Sequence, residues 1–493
     1  MTVNRTYLSV DLGASSGRVV AGHLDDGRMV TEVIHRFDNV PVAVREGGRE
    51  VLHWNVLRLY EGILTGVRLA ARRRNVVSLG IDTWAVDYGL LDADGALLGN
   101  PVHYRDSRTD GVAAEVFTHL PAEMLYERTG LQYQPFNTIF QLAAAAGSAQ
   151  LATARRLLLL PDLLGYWLTG VAVAEATNAS TTGLLDVAAR GWSAEILLAL
   201  RGALGMDLGP LLPPVVEPGT QIGTVDVAGL PEVPLVAVGS HDTASAVVGV
   251  PGDGDFAYIS CGTWSLVGIE LAEPVLSEAS RDGNFTNELG VDGSVRYLRN
   301  VMGLWLLQEC VREWAEAGEE IDLAELLAQS EEVTALRCVV DVDDSAFLAP
   351  GGMPERLAQA AAEAGEPVPR TRAEMVRAIL DSLALAYRRA LRAASDLAER
   401  EISVIHLVGG GSRNELLCRL TAEATGLPVI AGPVESTALG NLLVQARSLG
   451  DLGEGVDLTG LHRLALASAH QELTRYEPRG GRADWDAAEA RLR

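Results

Sequence analysis

The most informative chemistry in this sequence belongs to Asp242 and to two turns made of small residues. Asp242 lies in the segment Gly-Ser-His-Asp-Thr at 239–243, where a strand predicted over residues 234–238 meets a helix-like stretch over residues 244–250. A carboxylate at a strand end can act as a general base that removes a proton from a substrate hydroxyl. The alternative is that Asp242 caps the helix, because aspartate is among the best N-cap residues. We expect His241 beside it to be a structural hydrogen-bonding group.

The first small-residue turn follows the first predicted strand. It has the sequence Asp-Leu-Gly-Ala-Ser-Ser-Gly-Arg at 11–18 and separates strands predicted over residues 7–12 and 18–24. Small residues let backbone amides approach a phosphate closely, and Asp11 could hold a metal directly or through water. The Walker pattern is excluded because Lys-Ser/Thr is absent and no helix follows the turn. An ordinary hairpin turn is the alternative.

A second turn of the same kind lies in the other half of the chain. It has the sequence Cys-Gly-Thr-Trp-Ser at 261–265 and again separates two predicted strands. Further on, a long helix predicted over residues 372–399 precedes a strand and the run Gly-Gly-Gly-Ser at 409–412, before a helix that starts near Asn414. Triple glycine after a strand favours a nucleotide site, with a flexible turn as the alternative. The two small-residue turns, at 11–18 and 261–265, could hold a polyphosphate from both sides.

The elements that must position these groups follow a similar order twice. In the first part of the chain, three strands, an amphipathic helix and further strands indicate a ribonuclease H-like unit. Strands are predicted over residues 7–12, 18–24, 29–37, 76–81 and 86–91, and a helix over residues 56–67. The second small-residue turn opens a similar arrangement. A cluster of glycine and proline over residues 249–254 marks a boundary between the two.

Asp82 and Asp87 bracket Trp84 between two of these strands. Paired carboxylates and an aromatic face suit a polyol, which needs hydrogen-bond acceptors and a stacking surface. A turn with a packed indole is an equally good interpretation.

Composition limits the function classes. A chain of 493 residues predicts two or three domains. The formal net charge of −25 argues against a nucleic-acid partner, which is bound through Lys and Arg. The four scattered cysteines contain no Cys-x-x-Cys pair, which argues against a structural zinc site. No apolar run approaches the roughly 20 residues of a membrane span, so we expect a cytoplasmic protein, as a monomer or small homo-oligomer.

Taken together, these motifs resemble the FGGY family of carbohydrate kinases over nearly the whole chain. The shared marks are Asp-Leu-Gly at 11–13, Gly-Ser-His-Asp-Thr at 239–243, Cys-Gly-Thr at 261–263, Gly-Gly-Gly-Ser-Arg-Asn at 409–414 and Glu-Ser-Thr-Ala-Leu-Gly-Asn at 435–441. Four stretches resemble more closely the members that phosphorylate L-rhamnulose. They are residues 10–18, 80–87, 134–142 and 299–308.

The resemblance implies an α/β fold of two actin-like, ribonuclease H-like ATPase domains around a central cleft, over residues 1–245 and 246–493. It implies ATP as co-substrate, Mg²⁺ as cofactor and L-rhamnulose as acceptor, with Asp242 as the general base. The ATP-binding residues would be Ala14, Ser15, Ser16, Gly17, Arg18, Thr263, Asn300, Gln308 and Gly410. The sugar-binding residues would be Ala85, His241, Asp242 and Thr243. Asp11 would hold Mg²⁺ through water, and Ala85 stands where relatives usually have glycine.

Other functions remain open at this point. Within the family, the acceptor could be another ketose such as L-fuculose or L-xylulose. An actin-like ATPase that acts as a chaperone or filament would have no small-molecule acceptor and no base at Asp242. A catalytically inactive sugar-sensing regulator is disfavoured because Asp242 and both phosphate turns are present.

Overall fold

The computed structural model describes residues 5–205 and 207–492. The chain forms two compact units. The first unit contains the residues up to Asp253 together with Glu270–Tyr297 and Ser436–His470. The second contains Gly254–Ile269, Leu298–Glu435 and the residues from Gln471 onward. Functional domains over residues 1–245 and 246–493 stay a prediction, and their residues 1–4, 206 and 493 lie outside the described residues.

Both units contain strands and helices. The strands are β1 (Arg5–Leu12), β2 (Ser16–Asp25), β3 (Arg28–Asp38), β4 (Val42–Glu46), β5 (Arg49–His53), β6 (Asn75–Thr83), β7 (Tyr88–Leu91), β8 (Arg156–Leu159), β9 (Ala174–Glu175), β10 (Leu185–Asp186), β11 (Gly191–Trp192), β12 (Val215–Val216), β13 (Gln221–Thr224), β14 (Pro234–Val236), β15 (Phe256–Cys261), β16 (Trp264–Leu271), β17 (Thr286–Leu289), β18 (Val295–Met302), β19 (Val404–Val408), β20 (Val429–Ala431) and β21 (Thr474–Tyr476). The helices are α1 (Val56–Ala71), α2 (Val112–His119), α3 (Ala122–Thr129), α4 (Thr138–Ala144), α5 (Ala149–Thr153), α6 (Leu160–Thr169), α7 (Ala176–Ala179), α8 (Ala194–Leu204), α9 (Asp242–Val248), α10 (Glu278–Asp282), α11 (Trp305–Glu316), α12 (Leu323–Glu331), α13 (Met353–Glu363), α14 (Arg372–Ala398), α15 (Glu415–Thr425), α16 (Ser436–Ser448), α17 (Leu458–Ala469) and α18 (Arg482–Arg491).

The main sheet of the first unit has the strand order β13-β14-β6-β1-β2-β3. β1, β2 and β3 form an antiparallel meander, and β6 joins β1 in parallel. The predicted series of three strands, a helix and a further strand is therefore confirmed. The strand predicted over residues 86–91 begins only at Tyr88 and pairs with β8 instead. The exposed hairpin β4–β5 was not predicted, because its residues lack the alternation of a half-buried strand.

Helix α1 packs on this sheet through small residues. Its side-chain cap is Asn55, which accepts a hydrogen bond from the backbone N–H of Arg58. Leu59, Ile63 and Val67 belong to the buried core that α1 shares with the sheet. A Cβ at Gly62 would lie 2.7 Å from the ring of Phe37 on β3, so glycine allows this close approach.

The second unit has the same combination of strands as the first, an antiparallel pair with a parallel strand beside it. β15 and β16 form an antiparallel hairpin, and β19 joins β15 in parallel. The predicted long helix is confirmed as α14, which starts with a capping box of Thr371 and Glu374. None of the helices within residues 5–205 and 207–492 combines the length and apolar character needed to cross a membrane.

Two helices of the first unit, α9 and α16, touch backbone to backbone. A Cβ at Gly440 of α16 would overlap the carbonyl oxygen of Ser245 on α9. A Cβ at Gly249, at the end of α9, would likewise overlap the carbonyl oxygen of Ser436. Since glycine is the residue that permits such contact, the two helices are fixed close together, and with them the start of α9 at Asp242.

We expect Gly440→Ala to lower the free energy of unfolding by about 1–3 kcal/mol, because the added methyl group overpacks a rigid backbone contact. The matched control is Gly202→Ala on α8, where a Cβ would meet open space, and where alanine favours the helix. Urea unfolding of both variants measures the difference. Equal midpoints for the two variants would contradict the proposed helix contact.

Candidate active site

Three aspartates from distant parts of the chain meet at one edge of the first unit's sheet. Asp11 on β1 lies directly beside Asp82 on β6 in the parallel register. The backbone N–H of Thr83 donates to the carbonyl oxygen of Ser240 at 2.9 Å, which brings Asp242 to the same edge. In open α/β sheets, ligands bind at the carboxyl ends of the parallel strands.

Asp242 has the accessible carboxylate of the three. Its side chain is 30 % exposed, whereas Asp11 and Asp82 are buried. It is the first residue of α9, and the N-cap is His241, so Asp242 is not the helix cap that the sequence suggested as an alternative. The hydroxyl of Thr243 donates to Asp242 Oδ1 at 3.2 Å. Burial raises the pKa of Asp242, while His241 lowers it, which suits a base that must accept a proton.

Asp82 is held by a helix from the far end of the sequence. Asn441 of α16 donates from Nδ2 to Asp82 Oδ2 at 2.5 Å, and Gln445 one turn later donates to Asn441 Oδ1 at 2.6 Å. Gln445 also accepts from the hydroxyl of Ser78 at 2.6 Å. A Cβ at Gly80 would lie 2.6 Å from Asn441 Oδ1. The segment at 435–441 therefore positions a carboxylate, a role that the sequence motif alone did not indicate.

The same sheet edge fits a divalent cation. Asp82 Oδ1 is buried and has no hydrogen-bond partner among the described residues. Burial raises the pKa of Asp82 well above its usual value, and neighbouring Asp11 raises it further. In the described part of the chain, no three His, Cys, Asp or Glu side chains form a direct metal site. The unpartnered Oδ1 of Asp82, with Asp11 on the neighbouring strand, suits Mg²⁺, which proteins hold through one or two carboxylates together with waters and phosphate oxygens.

The first small-residue turn is the β1–β2 hairpin. The N–H of Gly13 donates to the carbonyl oxygen of Ser16 at 2.9 Å, and buried Asn39 braces the turn by donating to the Gly13 carbonyl at 2.9 Å. Ser15 and Ser16 are exposed. Arg18 donates from Nε and Nη2 to Asp11 Oδ2, at 2.9 and 2.6 Å. Its guanidinium thus neutralises Asp11 at the sheet edge.

A buried carboxylate that sequence reasoning missed fixes the segment before Asp242. Glu175 Oε2 accepts from the N–H of Ser240 at 3.0 Å and from its hydroxyl at 2.6 Å. The same oxygen accepts from the hydroxyl of Thr177 at 2.5 Å, and Thr177 in turn accepts from the N–H of His241 at 3.2 Å. These bonds fix the turn from which α9 starts.

The segment with Ala85 forms a strained turn. Val86 has φ of +66°, and the N–H of Asp87 donates to the carbonyl oxygen of Ala85 at 2.9 Å, which is the geometry of a γ-turn. The indoles of Trp54 and Trp84 donate to Asp87 Oδ2 at 2.5 and 3.1 Å. Burial raises the pKa of Asp87 to about 6. Asp87 therefore belongs to a packed turn, whereas Ala85 is partly exposed.

In the second unit, the predicted nucleotide residues lie around the β15–β16 turn. Thr263 in this turn donates from its hydroxyl to Gln308 Oε1 on α11 at 3.5 Å. Asn300 lies on β18 and is partly exposed. Gly410 follows β19, and a Cβ there would meet open space.

The triple glycine lies against the same turn. Gly409 has φ of +82°, and a Cβ there would lie 3.0 Å from the carbonyl oxygen of Cys261. A Cβ at Gly411 would overlap the Cys261 sulfur. The glycines therefore allow two turns of the second unit to pack together, and α15 starts just beyond at its N-cap Asn414, as predicted.

Comparison with known proteins shows the family to which this chain belongs. Residues 6–249 match the model of the N-terminal domain, and residues 257–449 that of the C-terminal domain, of the FGGY family of carbohydrate kinases. The chain belongs to this family. The resemblance predicted from the motifs is therefore confirmed, and so is an α/β fold with two sheet-containing units.

Individual relatives cover nearly the whole chain. The chain is 39 % identical to the rhamnulokinase of Bacteroides thetaiotaomicron, over 99 % of this chain and 98 % of the relative. It is 44 % identical to the rhamnulokinase of Enterococcus faecalis, over 91 % and 90 %. Its fold is similar to xylulose kinase from Lactobacillus acidophilus, with a TM-score of 0.76 at 16 % identity and 99 % and 96 % coverage. Plasmodium falciparum glycerol kinase with ADP gives 0.76 at 15 % identity, with 99 % and 97 % coverage.

We expect Asn441→Leu to lower the free energy of unfolding by about 1–3 kcal/mol, because Asp82 loses its hydrogen-bond donor while buried. The exchanged pair Asp82→Asn with Asn441→Asp keeps one amide and one carboxylate in contact. It should therefore be more stable than Asn441→Leu in urea unfolding. If the variant with both exchanges is no more stable than Asn441→Leu, the hydrogen bond between Asn441 and Asp82 does not stabilise the sheet edge.

Proposed function

We propose that this chain transfers the γ-phosphoryl group of ATP to the 1-hydroxyl of L-rhamnulose, giving ADP and L-rhamnulose 1-phosphate. The observation that carries the proposal is the partly exposed carboxylate of Asp242 beside buried Asp11 and Asp82, in a member of the carbohydrate kinases. The rhamnulokinases among its relatives support L-rhamnulose as the acceptor over L-fuculose or L-xylulose.

The first unit would supply the chemistry at the sugar. Asp242 takes the proton of the 1-hydroxyl as the oxygen forms its bond to the γ-phosphorus, and the bond from that phosphorus to the bridging oxygen of ADP breaks. His241, Thr243 and Ala85 would contact the ketose. The methyl group of Ala85 narrows the space that a glycine would leave, so it is expected to influence which ketose fits.

Phosphates and nucleotide would be bound by the two small-residue turns. Backbone amides of a turn bind phosphate oxygens without a bulky side chain in the way. In the first unit the residues are Ala14, Ser15, Ser16, Gly17 and Arg18. In the second unit they are Thr263, Asn300, Gln308 and Gly410.

Asp82, with Asp11 through water, would hold Mg²⁺ at the sheet edge. When bound, Mg²⁺ neutralises charge on the phosphate oxygens. The Asp82 carboxylate would in turn stay ionised, because a cation offsets the burial that raises the pKa of Asp82. A cytoplasmic location, and a monomer or small homo-oligomer, stay predictions.

The test is ADP release with Mg-ATP over a panel of L-rhamnulose, L-fuculose, L-xylulose, D-xylulose and glycerol. We expect the highest kcat/KM for L-rhamnulose. Asp242→Asn should lower kcat by about 10²–10⁴, the usual contribution of a general base. The matched control is Asp451→Asn, which makes the same change at a carboxylate paired with Arg5 and Tyr7 in the same unit.

Three outcomes would contradict the proposal. Equal or faster turnover of glycerol or D-xylulose would reject L-rhamnulose as the acceptor. ATP hydrolysis that no ketose stimulates would favour an actin-like ATPase. A normal kcat for Asp242→Asn would remove Asp242 as the base.

A further inference from the structure

A buried ion pair lies behind the proposed base and has no part in the chemistry described so far. Glu288 is on β17, and Arg296 is on β18. Arg296 Nη2 lies 3.0 Å from Glu288 Oε2. Both residues are buried, with Arg296 fully inaccessible. Replacing a buried ion pair by packed apolar residues is often neutral or stabilising, so burial of this pair is weak evidence for a stabilising role alone.

The ring of His241 connects this pair to Asp242. Its Nδ1 lies 3.1 Å from Glu288 Oε2 and 3.2 Å from Arg296 Nη2. Its Nε2 lies 3.5 Å from Asp242 Oδ1. The backbone N–H of His241 donates to Thr177, so main chain and ring are both fixed. Asp242, His241, Glu288 and Arg296 therefore form one continuous row of polar contacts.

The partners of Nδ1 decide where the ring carries its proton. An arginine can only donate, so Arg296 next to Nδ1 favours a lone pair there and an N–H at Nε2. The remaining tautomer would turn a lone pair at Nε2 toward the Asp242 carboxylate, which is repulsive. The tautomer that Arg296 favours therefore directs the N–H at Nε2 toward Asp242 Oδ1.

We propose that Glu288 and Arg296 are positioning residues for phosphoryl transfer, which orient His241 so that its Nε2–H stabilises and aims the ionised Asp242 carboxylate. With Oδ1 engaged by His241 and Thr243, Oδ2 is the oxygen left for the substrate hydroxyl. The inference rests on the proposed function, because it requires Asp242 to be the base.

The test is a double-mutant cycle between Glu288→Gln and His241→Gln, assayed with L-rhamnulose and Mg-ATP. Glu288→Gln should lower kcat about 10- to 100-fold and change KM for ATP by less than about 3-fold, because the base is misaligned while nucleotide binding is retained. The glutamine at 241 can still donate to Asp242 but has no link to Glu288. In that background, Glu288→Gln should change kcat by less than about 2-fold, because residues that act through one another are not additive.

The matched control is Asp381→Asn, which breaks the buried pair of Asp381 with Arg377 in the second unit, where the two side chains lie 2.9 Å apart. It should lower the unfolding temperature and leave kcat unchanged. Glu288→Asp keeps the charge at shorter reach, and its kcat should lie between those of the wild type and Glu288→Gln. The comparison of Glu288→Asp with the wild type also tests the role of Glu288 if Glu288→Gln does not fold.

The outcomes separate this inference from the proposed function. If the wild type turns over ketose and kcat of Glu288→Gln is within 2-fold of normal, the inference alone is overturned. If Glu288→Gln does not fold, a kcat of Glu288→Asp within 2-fold of normal overturns it. Effects of the two substitutions that multiply in the double variant overturn it as well, since Glu288 would then not act through His241. A wild-type chain that releases no ADP in response to any ketose overturns the proposed function and this inference together.

Discussion

The close approach of three carboxylates at one sheet edge is the constraint on which the rest of the site depends. Like charges that share a buried site oppose ionisation, so each aspartate needs a partner that offsets this cost. Asp11 has the guanidinium of Arg18, Asp82 has the amide of Asn441, and Asp242 has the ring of His241. A bound cation and the amides of the small-residue turns would complete this compensation when substrate phosphates arrive.

That constraint explains why the first unit recruits a helix from far along the sequence. α16 supplies Asn441 and Gln445 beneath the edge, and its Gly440 lets it contact α9 backbone to backbone. The same contact fixes the helix that begins at Asp242. α16 therefore positions the Asp82 carboxylate, which is expected to face the cation, and helix α9, which carries the base. No residue of α16 is itself among the predicted ligand contacts.

The parts of the fold and site that were predicted from sequence depend on neighbouring residues. Strand-like apolar runs predicted the meander, apolar residues at helical spacing predicted α1, and glycine and small residues predicted the turn that precedes Arg18. The missing parts depend on contacts between distant segments. Glu175 and the pair of Glu288 with Arg296 lie in segments that carry no local chemical motif, and their meaning comes from what folding brings beside Asp242. One indole partner of Asp87, Trp54, is distant in the same way, so the structural role of Asp87 was not separable from sugar binding.

The pH dependence of kcat/KM for L-rhamnulose at saturating Mg-ATP tests most directly whether Asp242 is the general base. Burial raises the pKa of Asp242, and only the ionised carboxylate accepts a proton, so activity should fall as acidification protonates it. We expect one acidic limb with an apparent pKa above about 3.9, the ordinary value for aspartate, and no such limb in the residual activity of Asp242→Asn. A limb at or below the ordinary value, or the same limb in Asp242→Asn, would contradict Asp242 as the base.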